Sequence, residues 1–185
     1  MKCNKNSLYW GISGKVGNLV FKTVHGKTII TKAPGKRKIK ASKAQSQQQT
    51  RFKESAAYAK EALQNSATRA FYESKAKPGQ SAYNVAVKDF FHPPVISEID
   101  TSRYTGASNS TIRVLATDDL KVAGVSVRIE KTDGSLLEQG NATIETDGVH
   151  WLYTSTTINP SLSGTVIVVT AADIPNHQTV NSKTL

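Results

Sequence analysis

The feature that most constrains the fold is a change of pattern at Pro93-Pro94. Beyond it, VISEID, STIRVLAT, VSVRIEK, ATIET, HWLYTST and GTVIVVTA are short β-branched or aromatic runs, separated by DD, DG, QG, DG and NP turn signals. Roughly six or seven strands at about ten-residue spacing is the pattern of an antiparallel sandwich. Trp151 and Tyr153 alternate with Leu152 along one of these runs, which places the Trp151 ring in the core.

The chain before the two prolines is built differently. Leu19 to Val24 and Lys27 to Thr31 are rich in Val, Ile, Phe and Thr, and His25-Gly26 between them suits a two-residue turn, so a hairpin is expected. Its register puts Leu19, Phe21 and Ile30 on one face, and because two strands alone are marginal in water, that face needs cover from the rest of the chain or from another copy, which makes these three the expected assembly residues. KAPGKRKIKASK follows as a basic connector. Residues 43 to 92 then read as three helices. Ser42 with Gln45 matches a capping box, and Phe52, Ala56, Ala59 and Leu63 recur on one helical face. Ser66 is expected to cap the second helix, which Pro78-Gly79 stops. Ser81 is expected to cap a third, with Tyr83, Val87 and Phe90 on a shared face. The Ala-rich faces predict a compact helical unit with little core of its own.

The predicted fold is therefore α+β: a basic N-terminal module over 1–92, made of a β-hairpin and three helices, followed by an all-β immunoglobulin-like sandwich over 93–185. Charge divides with it. Residues 1–92 hold 18 Lys+Arg against 4 Asp+Glu, or +14, while residues 93–185 hold 6 against 10, or −4. A basic half favours an anionic partner. Cys3 is the single cysteine, so no intrachain disulfide framework exists. MKCNKNSLYW leads into GISGKVGN and not into an apolar stretch, and no run approaches the roughly 18 apolar residues of a membrane span. No membrane span is expected, and the expected address is the cytoplasm or an assembly built from cytoplasmic protein.

SGKVGNLVF with HGKTIITKAP, FKESAAYAKEAL, and QSAYNVAVKDFF resemble a group of small, basic, uncharacterised bacterial proteins with the same order of parts. That resemblance covers most of residues 11–92 and implies an architecture but assigns no site residues. ATDDLKVAGVSVRIEKTDG is similar to repeats of immunoglobulin-like and fibronectin-type domains in bacterial surface and appendage proteins, which implies an adhesive or structural module.

The motifs that could carry chemistry resolve into structural ones. Gly11-Ile-Ser-Gly14-Lys15-Val-Gly17 has two residues where a phosphate loop needs four, and a strand follows it, so it reads as a turn. His25, His92, His150 and His177 are scattered, with no zinc-ligand spacing, and Asp118-Asp119 reads as turn chemistry. No GxSxG elbow is present. The expectation is a non-enzymatic structural or scaffold protein, of the kind found in virions and appendages, that needs no cofactor or metal and forms a homo-oligomer or larger assembly. Its anionic-partner residues would be Lys36, Arg37, Lys38, Lys40, Lys43, Arg51 and Lys53, and its assembly residues Leu19, Phe21 and Ile30. The alternative reading makes the same cations a sequence-independent nucleic-acid-binding surface, with few aromatics to stack on single strands.

Overall fold

The computed structural model describes residues 2–3, 11–24, 26–35 and 40–185. Packing divides the chain into two compact units, Met1–Thr50 and Arg51–Leu185. The fold is α+β and contains a β-sandwich.

The first unit is organised on a four-stranded antiparallel sheet of β1 (Lys2–Cys3), β2 (Gly14–Val16), β3 (Leu19–Val24) and β4 (Lys27–Lys32), in the order β1-β4-β3-β2. β3 and β4 pair from Leu19↔Lys32 to Val24↔Lys27, so the expected hairpin forms. Gly26 sits at φ 71°, which its missing Cβ permits at little cost. Residue 25 itself lies outside the described residues. The segment that mimics a phosphate loop is β2 and the tight Gly17-Asn18 turn into β3, with Val16 paired to Leu19.

In the second unit, β5 (Val95–Asp100), β6 (Thr111–Thr117), β7 (Val122–Glu130), β8 (Leu136–Asn141), β9 (Thr143–Ile144), β10 (His150–Thr154), β11 (Val166–Asp173) and β12 (Gln178–Thr184) form two sheets, ordered β5-β6-β10-β9 and β12-β11-β7-β8. Strict alternation decides what they bury. Ile112, Val114 and Ala116 on β6 face Ile167, Val169 and Ala171 on β11, and Val125, Val127 and Ile129 on β7 join them in one core. Trp151 and Tyr153 are buried there, as their alternation with Leu152 requires. Aspartates tie the corners. The Leu120 and Lys121 amides donate to Asp118, the Ser135 amide to Asp133, and the Val149 and His150 amides to Asp147.

The helices are α1 (Lys43–Ala62), α2 (Ser66–Lys75) and α3 (Ala82–Asp89). The capping box is reciprocal: the Gln45 amide donates to Ser42 Oγ at 3.3 Å and the Ser42 amide to Gln45 Oε1 at 3.1 Å. Ser81 caps α3 through the Asn84 amide. The cap of α2 is Asn65, not Ser66, because Asn65 Oδ1 accepts from the Thr68 amide and Ser66 is already helical. On α1, Ala59 is buried whereas Phe52 is 56% exposed, so the apolar face is shorter than its sequence period. On α3 the buried positions are Val85, Ala86 and Asp89, while Tyr83, Val87 and Phe90 are half-buried. The helical core of Ala59, Tyr72, Val85 and Ala86 is small and takes in Leu120 and Ile174 from the sandwich loops. Helices and sandwich therefore pack together within Arg51–Leu185, and Pro93-Pro94 forms the short link from α3 to β5.

Candidate docking surface

In the first unit every charged side chain has the same sign. Residues 1–50 contain 11 Lys+Arg and no Asp or Glu, whereas residues 51–185 contain 13 and 14, so the two carry +11 and −1 of the total +10. A segment with no carboxylate forms no side-chain ion pair of its own. Its lysines remain in water or meet an external anion.

Strand register sorts the hairpin's side chains. Phe21 pairs with Ile30, and Leu19 lies two residues from Phe21, so Leu19, Phe21 and Ile30 share a face as expected. The chain already covers part of that face. Phe21 is 7% exposed, Thr28 is fully buried, and the Gly11 amide donates to Thr28 Oγ1 at 2.9 Å. Of the three, Leu19 is offered outward, 45% exposed and paired with the more exposed Val16.

Of the expected anion-binding residues, Lys36, Arg37 and Lys38 lie outside the described residues. Lys40 is exposed just before α1, and Lys43 is exposed at its first position. Arg51 and Lys53 lie on α1 two residues apart, which turns them to opposite sides of the helix. The Arg51 guanidinium lies 5.2 Å over the Phe91 ring, within reach of a cation–π contact. Lys53 is exposed.

Two polar clusters in Arg51–Leu185 escape sequence reasoning. In the first, Tyr58 OH donates to Tyr72 OH at 2.8 Å and Tyr72 OH donates to Asp89 Oδ2 at 2.7 Å, bridging α1, α2 and α3. Asp89 is buried, its Oδ1 has no partner among the described residues, and burial pushes its carboxyl up to about 6. Burial likewise raises the Tyr72 phenol, with both hydrogen bonds adding to the effect. Across from this chain the His177 ring meets Phe90 edge-on at 4.6 Å and hydrogen-bonds Asp173 through Nδ1 at 2.9 Å. Helical spacing alone gives α3 a polar residue at position 89, but nothing in the sequence marks it as inward.

The second cluster stands at the β9–β10 turn. Ligand-type atoms of Glu145, Asp147 and His150 lie within 4.8 Å of one another. They are spaced two and three residues apart around a turn, a pattern that a search for helical His pairs passes over. Arg113 donates to Glu145 at 2.7 Å and comes within 3.6 Å of Asp147. Hydrogen bonds from the His150 and Val149 amides, then from the His150 ring, hold the Asp147 carboxyl well below the usual range. Its charge is thus spent on the turn and on Arg113. Beside it a shallow groove of about 480 Å³, lined by Asp100, Arg103, Thr111 and Arg113, crosses the outer face of the sheet. Asp119 pairs with Lys88 at 2.8 Å, and Asp118 serves its turn as expected.

No helix among the described residues is long and apolar enough to cross a membrane. No family model and no curated protein matches the chain. Among solved structures, the crystal structure of CopC from Methylosinus trichosporium OB3b is similar over 48% of this chain and 87% of that one, at 13% identity and a TM-score of 0.36.

Proposed function

We propose that this chain is a non-enzymatic structural or scaffold protein. Its basic N-terminal module, residues 1–92, docks onto an anionic partner and carries the contacts of self-assembly, and the following β-sandwich is displayed as an immunoglobulin-like domain. The observation that carries this reading is the confinement of the whole net charge to a unit with no carboxylate. Unopposed repulsion among 11 cations opposes compaction, and the unit keeps them nonetheless, so an external counter-charge is the economical reason for them. The strand orders β5-β6-β10-β9 and β12-β11-β7-β8 correspond to A-B-E-D and to G-F-C with one further strand, which supports the immunoglobulin-like reading. The buried tryptophan here stands on the third strand of the first sheet, and no cysteine pair joins the two sheets.

Docking is tested by neutralising Lys36, Arg37, Lys38, Lys40, Lys43, Arg51 and Lys53 to Gln and measuring retention on phosphocellulose against rising salt. Earlier elution is expected, and unchanged elution refutes the assignment. Self-assembly is tested by light scattering at low and high concentration. Leu19→Asp should shrink a concentration-dependent oligomer, and a strictly monomeric wild type removes assembly from the reading.

A further inference from the structure

Register places three lysines of the first unit in a straight diagonal. Lys15 on β2 pairs with Val20 on β3, and Lys22 follows Val20 by two residues on that same strand. Val24, two residues further, pairs with Lys27 on β4. Each step moves one strand across and two residues along in the order β2, β3, β4, so all three positions point to the same side of the sheet. With strands about 4.8 Å apart and a rise of about 3.4 Å per residue, neighbouring backbone positions in the row are about 8 Å apart. All three are exposed. The face they share also carries Val20, Val24, Ile29 and Thr31, while Phe21, Thr28, Ile30 and Lys32 belong to the opposite face. The alternation that turns Phe21 inward thus lines up the cations on the outside.

We propose that this sheet face is a sequence-independent docking surface for the phosphate backbone of a nucleic-acid duplex. The proposal rests on the reading that the N-terminal module docks onto an anionic partner, and it specifies both the partner and a surface apart from the basic connector. Three properties select a duplex. The row is regular and of one sign, which suits a polyanion with evenly repeated charges. Among the described residues the face has no aromatic side chain to stack unpaired bases, which sets single strands aside. Among the described residues it presents lysines and no arginine, so it offers point charges to phosphates without the bidentate fork that reads guanine. A second copy offers little net counter-charge, because residues 51–185 sum to −1.

The test is a fluorescence-anisotropy titration of a random-sequence duplex across a salt series with the full chain. Against wild type, K15Q/K22Q/K27Q should flatten the slope of log affinity against log salt by about 3 and weaken binding about a hundredfold at 0.1 M salt. K32Q, on the opposite face, should leave the slope nearly unchanged, and the charge-keeping K15R/K22R/K27R should bind as wild type. If the triple glutamine variant binds as wild type while neutralising Lys36 to Lys43 abolishes binding, the row is wrong and the docking reading stands. Equal loss per lysine from K32Q, or loss in the arginine variant, also overturns the row. Equal or tighter binding of the wild type to single strands or to phosphatidylserine vesicles overturns the duplex as partner. A wild type that binds none of these polyanions defeats the docking reading together with the row.

Discussion

A single carboxyl shows how the helices of this protein respond to acid. Asp89 is raised from 3.8 to about 6 chiefly by burial, with Asp118 and Asp173 adding to the rise and the Tyr72 hydrogen bond and His177 opposing it. The folded chain therefore holds this proton more tightly than the unfolded one. The stability it contributes is full below pH 3.8 and is lost as pH rises through 6, the reverse of the usual paired aspartate. A shift of that size corresponds to about 3 kcal/mol at most. Asp89→Asn keeps an acceptor for Tyr72 and abolishes the titration. Urea unfolding at pH 4.5 and pH 8 should show the variant gaining about 1 to 3 kcal/mol on wild type at the higher pH; parallel behaviour at both would mean that the carboxyl is not desolvated as described. Tyr72→Phe should destabilise by about 1 to 3 kcal/mol, because it takes the remaining donor from a buried carboxylate.

At the scale of elements, caps and edges separate what the sequence discloses from what it hides. Asn65→Ala should cost about 1 kcal/mol by leaving the Thr68 amide without its acceptor, while Ser66→Ala should stay within about 0.5 kcal/mol of wild type, both read by urea denaturation. The reverse ranking would return the cap to Ser66, where sequence order had placed it. The capping box at Ser42, the hairpin over Leu19 to Thr31 and the alternation around Trp151 were all legible, because each is a local rule satisfied by local residues. β8 and β12 were not. LLEQGN and QTVNSKT carry little β-branched apolar content, and both strands lie at the edges of their sheet, where a single neighbour supplies the ladder. Gly140 on β8 even suits its place: a Cβ there would come within 3.0 Å of the Tyr153 ring. The candidate site was legible as composition and not as geometry. Counting found the cations, but the row of Lys15, Lys22 and Lys27 exists only once three strands are in register, and the inward turn of Asp89 depends on loops 30 and 85 residues downstream of α3.

For the molecule as a whole, charge and apolar packing are assigned to different lengths of chain. The sandwich core gathers residues of both sheets, whereas the first unit has Phe21 as its buried large apolar side chain among the described residues. Its stability should therefore respond to screening. Raising sodium chloride from low to moderate concentration should slow amide hydrogen exchange across residues 14–32 and leave β11 unchanged; slowing in both would point to a general salt effect. The lack of any carboxylate among residues 1–50 reaches further than affinity. Acidification has no aspartate or glutamate to neutralise there, and His25 is the one imidazole it could charge. Between mildly acidic and mildly alkaline conditions the front of this protein is close to proton-blind, so releasing whatever it grips falls to competing ions or to covalent masking of its amines, such as acetylation.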